Sequence, residues 1–181
     1  MKVELLRCDT IENIDSGLSQ CYDQSKQGVD GINRIKKVCN VYKHDSLLEF
    51  GSATWEVTAS TKVLLEMTRH RMASYACKSS RYTLDKGEIV FEPTGDKEID
   101  TTLEEFRHKI LEQIDLGKKN DTVSLMLPQA YQYRWQVQMN FRSMKNYFNL
   151  RLHRTAHFQI REVSQAMLDA LPKEIQELVY A

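Results

Sequence analysis

The chain is poor in glycine and its cysteines are scattered, and each feature closes off a class of architecture. Seven glycines among 181 residues leave little material for phosphate-binding turns, and neither GxGxxG nor a Walker-type glycine loop occurs. A nucleotide or flavin would have to be held by side chains and helix ends. The absence of a GxSxG elbow removes the common serine hydrolase arrangement. The four cysteines, Cys8, Cys21, Cys39 and Cys77, form no CxxC pair, so neither a zinc site nor a disulfide framework is expected. No apolar run approaches the roughly 20 residues of a membrane span, so no membrane partner is expected. The opening MKVELLRCDT is too charged for a secretory leader, and the cytoplasm is the expected compartment. His153 and His157 have helix-compatible spacing, but no carboxylate or cysteine stands beside them; no metal is expected there.

Acid is missing from two windows. The chain has 25 Lys and Arg against 25 Asp and Glu, yet residues 67–84 and 122–161 contain no acid at all. They hold Arg69, Arg71, Lys78 and Arg81, then Arg134, Arg142, Lys145, Arg151, Arg154 and Arg161. A neutral chain so divided carries a basic region suited to phosphate-bearing ligands.

The length and the 41% hydrophobic content predict one domain, residues 1–181. Residues 3–6 read as a short strand, and residues 10–26 as a helix carrying Ile11, Ile14, Leu18 and Cys21 on one face with Thr10 as a cap. Gly28 and Gly31 are expected to bracket a loop before a second helix on Ile32, Ile35 and Val38. Residues 52–60 alternate as a half-buried strand, with Ala53, Trp55, Val57 and Ala59 on one side. Thr61 is expected to cap a helix running to the arginine cluster. Residues 74–83 read as an ordered loop, 88–92 as a strand, 101–116 as a helix and 131–139 as a second alternating strand. Two helices, about 143–152 and 155–171, are expected to close the chain before Pro172. The class is α+β.

The densest chemistry is Arg69-His70-Arg71, followed by Ser74, Lys78, Ser79, Ser80 and Arg81. Three guanidinium groups, an ammonium and three hydroxyls fall within 13 residues. Guanidinium forks match phosphate oxygens, and serine adds neutral donors without bulk. A solvated basic loop or an RNA-contacting patch fits the same residues. Residues 140–151 narrow the reading. On a helix Met144, Tyr147, Phe148 and Arg151 share a stripe, so Arg151 points toward packed surface, where it needs a polar or anionic partner. Arg142, Asn146 and Asn149 take the opposite stripe.

Together these blocks resemble the flavin-dependent thymidylate synthases. The family signature appears as RHRMASYACKSSRY, residues 69–82, and a second block as NFRSMKNYFNLR, residues 140–151. His44-x-Ser46-x-x-Glu49 lies upstream, and Leu127-Pro128 with Tyr131 also fits. The resemblance implies a compact α+β domain of mixed helices with a small, largely antiparallel sheet. It places Ser46, Arg69, His70, Arg71, Cys77, Asn140, Arg142 and Asn146 at FAD-binding positions. Glu66, Arg69, Cys77, Lys78, Ser79, Ser80, Arg81 and Arg151 fall at dUMP-binding positions, with Arg151 favouring ionisation of uracil N3. It further implies NADPH and 5,10-methylenetetrahydrofolate as co-substrates, conversion of dUMP to dTMP, and a homotetramer with shared active sites.

The chain departs from the common pattern at Ala76-Cys77, where many relatives have Asn-Glu, at Glu66 for Gln, and at Ser124 for Arg. Two other readings use the same blocks. A dUMP hydroxymethylase would keep flavin and folate and differ only in product. A non-catalytic basic nucleotide- or RNA-binding homologue would keep the scaffold. Against RNA stands the lack of aromatics interleaved with the arginine cluster as a stacking platform, and no nucleic-acid partner is expected.

Overall fold

The computed structural model describes residues 1–23 and 28–180. In chain order its main elements are β1 (Lys2–Cys8), α1 (Ile11–Tyr22), α2 (Gly28–Lys36), a 3-10 turn (Asp45–Phe50), β2 (Ser52–Ser60), α3 (Thr61–Met67), β3 (Ser74–Cys77), α4 (Ser80–Thr83), α5 (Lys97–Asp115), α6 (Asn120–Val123), β4 (Gln132–Asn140), α7 (Phe141–Arg151), α8 (Phe158–Asp169) and α9 (Lys173–Val179). The strands form one antiparallel sheet in the order β1-β2-β4-β3. Among the described residues no helix is long and apolar enough to cross a membrane.

Alternation builds the sheet as read. Ala53, Trp55, Val57 and Ala59 are fully buried, as are Trp135, Val137 and Met139 on β4 to within 1%. Trp55 pairs with Val137, and Trp135 with Val57, across β2 and β4. Both indoles also satisfy their N–H groups inside the core: Trp55 Nε1 donates to the Met167 carbonyl at 3.2 Å and Trp135 Nε1 to Met67 Sδ at 3.4 Å. Burying an aromatic donor without a partner would cost what the ring contributes. Helix α7 packs on α8 and α9, and α8 on β1 and β2. A second cluster of Leu84, Ile89, Ile110, Val123 and Tyr131 lies under α5 and α6, with Tyr133 packed against both clusters.

Several expectations are corrected. Gly28 and Gly31 do not bracket a loop, because α2 begins at Gly28 and passes through Gly31. Each helical glycine costs about 1 kcal/mol, and the full burial of Ile35 alone offsets roughly 1.5–3 kcal/mol. On α1, Ile11, Ile14 and Leu18 are buried but Cys21 is exposed, and the helix ends at Tyr22; residues 24–26 of that expected helix lie outside the described residues. Ser60, not Thr61, caps α3 by accepting from Val63 N–H at 3.3 Å, while the Thr61 hydroxyl donates to the Tyr131 carbonyl. Residues 88–92 make only a single bridge, Phe91 to Tyr131. Helix α5 starts four residues early because Asp96 caps it through Glu98 and Ile99 N–H. Pro172 does not end the structure; it sits at the N-cap of α9, where a missing N–H is harmless.

Candidate functional site

The site grows from the last turn of α3. A helix leaves its final four carbonyls without intrahelical donors, and here each one finds a different partner. The Leu64 carbonyl accepts from Thr68 N–H at 2.9 Å, and the Leu65 carbonyl from the Thr68 hydroxyl at 3.2 Å. The Glu66 carbonyl accepts from Arg151 Nη2 at 2.7 Å, and the Met67 carbonyl from both His70 N–H and the Tyr75 hydroxyl. The single Tyr75 proton is shared between that carbonyl and the His70 carbonyl, 2.9 Å away. Arg151, which closes the second sequence block, is thereby tied to the helix end just ahead of the first.

Arg151 lies where its stripe requires. Met144, Tyr147 and Phe148 are fully buried, and the guanidinium is half-buried at the end of α7. Its partner is a backbone carbonyl, and among the described residues no carboxylate pairs with it. A cation at the C-terminal end of α3 is favoured by the helix dipole. Its field reaches the neighbours: burial first, then Arg151, holds His70 below its ordinary value. Burial drives Tyr75 up to about 12 and Tyr147 up as well, each against a smaller opposing pull from Arg151.

Where β4 hands over to α7, a cavity of about 260 Å³ opens, lined by Glu49, His70, Met72, Asn140, Arg142, Ser143 and Asn146. Asn140 caps α7, accepting from Ser143 N–H at 2.8 Å, so its amide N–H₂ is left as a donor. Arg142 meets Glu49 at 2.5 Å, both half exposed. Four predicted flavin residues, His70, Asn140, Arg142 and Asn146, are thus brought together. Ser46 shares the 3-10 turn with Glu49, three residues on and hence on the same face. Arg69 and Arg71 flank His70 as exposed cations.

Residues 74–83 correct the loop expectation: they are the edge strand β3 followed by the helical turn α4. Cys77 pairs opposite Trp135, five residues along β4 from Asn140, about 17 Å at ordinary strand rise. Within one chain Cys77 therefore stands apart from the cavity. Lys78 N–H donates to the Arg134 carbonyl, extending the edge. Arg81 pairs with Asp121 at 3.0 Å, with both side chains more than half exposed, a contact weak enough for a ligand to replace. The carboxylate of Glu66 turns to Lys62 at 3.1 Å. His153 and His157 do not share a helical face: they flank a turn, with His157 at the N-cap of α8. Among the described residues no cluster of metal-ligating side chains occurs.

Sequence reasoning left Ser143, Tyr75 and the Met72 carbonyl unassigned. Ser143 sits at the third position of a helix capped by Asn140, a spacing that marks it as inward-facing. A larger cavity, about 710 Å³, lies between residues 87–93 and α5. Its charged lining is Glu88, Glu92, Asp100 and Glu104 against Arg107, the wrong sign for a phosphate.

A small antiparallel sheet wrapped by helices, with amide and cationic donors converging at one strand-to-helix junction, defines an α+β protein. The chain belongs to the thymidylate synthase complementing protein family, whose model matches residues 8–175. It is 29% identical to the flavin-dependent thymidylate synthase of Wolinella succinogenes over 96% of this chain and 95% of that one. It is 33% identical to the Pyrococcus abyssi enzyme of the same name over 73% of this chain, an alignment that spans 59% of the relative's length. The crystal structure of Thymidylate Synthase X from Helicobacter pylori with FAD and dUMP superimposes with a TM-score of 0.88 at 25% identity, covering 99% of this chain and 98% of that one.

Proposed function

We propose that this protein is a flavin-dependent thymidylate synthase. It converts dUMP to dTMP with 5,10-methylenetetrahydrofolate as one-carbon donor and NADPH as reductant. The observation that carries the reading is the junction of the two sequence blocks at α3, where Arg151 holds the Glu66 carbonyl four residues before the His70 that lines the cavity with Asn140 and Arg142. The names of its relatives, and the FAD and dUMP in the Helicobacter structure, support it.

The residues fit a flavin dinucleotide in kind but not in volume. Amide and guanidinium donors suit its polar edges and phosphates, yet 260 Å³ is below the roughly 300–1,000 Å³ that encloses even a drug-sized ligand. The rest of the enclosure falls to other copies, which is the case for a homotetramer with shared sites. When bound, FAD supplies hydride relayed from NADPH. His70, Asn140, Arg142 and Asn146, with Ser46, Arg69 and Arg71, hold it. Lys78, Ser79, Ser80 and Arg81 offer donors to the phosphate of dUMP, and Glu66 borders the same site. Arg151 faces the uracil edge as a fixed cation in a partly dry place, where it stabilises negative charge on the ring.

Reconstitution with FAD, gel filtration and a visible spectrum test the first step, and dUMP conversion with NADPH and the folate tests the second. A colourless protein that retains no flavin would refute the reading. Light scattering across a dilution series tests assembly; a fully active monomer excludes shared sites. The cytoplasm, consistent with four unpaired thiols, is the proposed compartment.

A further inference from the structure

Ser143 carries one hydroxyl proton and two lone pairs. Its Oγ makes two hydrogen bonds, one to the Met72 carbonyl and one, at 2.8 Å, to His70 Nε2. A carbonyl oxygen can only accept, so the proton goes to Met72. Ser143 is then left as an acceptor toward the imidazole, and Nε2 must carry a hydrogen. The other ring nitrogen, Nδ1, has no hydrogen-bond partner among the described residues. It is not sealed away either, since the one fully buried side-chain nitrogen or oxygen lacking a partner there is Arg161 Nε. His70 lines the cavity, with 8% of its surface exposed.

We propose that Ser143 is a positioning residue that locks His70 as its Nε2–H tautomer, so that Nδ1 meets the ligand as an acceptor and is matched by an N–H or O–H of the flavin, not by its pyrophosphate. This rests on the FAD reading above and assigns work within the Arg69-His70-Arg71 run. A bare Nδ1 repels phosphate oxygens, which at neutral pH have no proton to give, so anion binding falls to the two exposed arginines. The histidine selects instead for a ring imide, an amine or a hydroxyl. The surroundings keep the ring neutral. Burial and the Arg151 cation both lower its pKa; Tyr75 and Tyr147, which touch it, are held un-ionised by burial. Across the cavity Arg142 and Glu49 pair with each other. Tyr147 meets the ring edge-on at 5.5 Å, and the Tyr75 hydroxyl holds its backbone, so the ring is oriented as well as fixed in its tautomer.

Nitrogen NMR of histidine-labelled protein reads the tautomer directly, with His70→Gln assigning the signal. The flavin-free wild type should show one protonated Nε2 and one pyridine-type Nδ1 at neutral pH. Added FAD should shift the Nδ1 signal toward that of a hydrogen-bonded acceptor. Ser143→Ala should release a mixture of tautomers and weaken FAD binding roughly 2- to 12-fold, the size of one neutral hydrogen bond; Ser143→Thr, which keeps the hydroxyl, should restore both. A protonated Nδ1 in the wild type overturns the proposal, as does an Nδ1 signal unmoved by FAD that demonstrably binds. If no FAD binds, the functional reading fails, and the flavin-free spectrum still decides the tautomer.

Discussion

Removing Arg151 separates two kinds of loss. Arg151→Ala deletes a half-buried cation and the donor to the Glu66 carbonyl at 2.7 Å. One charge-assisted hydrogen bond to substrate is worth about 1.5–3 kcal/mol, or roughly 10- to 150-fold in rate. If that bond strengthens as negative charge grows on the uracil ring, turnover falls by this factor while dUMP affinity changes less. The protein should still bind FAD, because Arg142 and Asn146 lie on the opposite stripe of α7. Loss of the Glu66 contact also loosens the end of α3, at a cost of about 1–3 kcal/mol in stability, which a denaturant midpoint reads independently. Arg151→Lys restores the charge without the fork and should recover only part of the rate. The assay is single-turnover conversion of dUMP by pre-reduced enzyme beside a dUMP titration. Normal turnover in Arg151→Ala, or failure traceable only to lost flavin or fold, refutes the reasoning.

Cys77→Ala should keep a substantial fraction of turnover: burial raises its thiol pKa and no base stands by it, so complete loss with normal dUMP binding would make it essential after all. Gly51→Ala should destabilise the protein by about 1–3 kcal/mol, since a Cβ there would fall 2.3 Å from the fully buried Phe141 ring; an unmoved urea midpoint contradicts this. The pKa of His70 is lowered in the folded protein from an ordinary 6.5, so below that pH the unfolded chain takes up more protons. The contribution of His70 to stability is therefore complete above 6.5 and is lost as pH falls; His70→Gln should flatten that part of the melting profile, and an identical profile counts against it.

Much of this was legible in the residues. Period-two alternation located β2 and β4 because each has one buried face, and the stripe on α7 located Arg151 because three of its four members are large and apolar. What escaped notice was decided by tertiary contacts. β3 is four residues long with only Tyr75 partly buried, too short to show a period. α2 runs through two glycines because packing of Ile35 outweighs local propensity. The site was legible as two blocks of residue types. Their juncture was not, since it depends on a backbone carbonyl at Glu66 and a carbonyl at Met72, groups that every residue possesses and no motif can display.

The main-chain anchor at position 66 governs how the site can drift. Arg151 grips position 66 by its main chain, while the Glu66 side chain points to Lys62. An anchor made by backbone is indifferent to the letter written at that position, so Glu can stand where many relatives have Gln without loosening the arginine. Substitution at position 66 thereby falls on the pairing with Lys62, while the helix end that aims the Arg151 cation keeps its carbonyl.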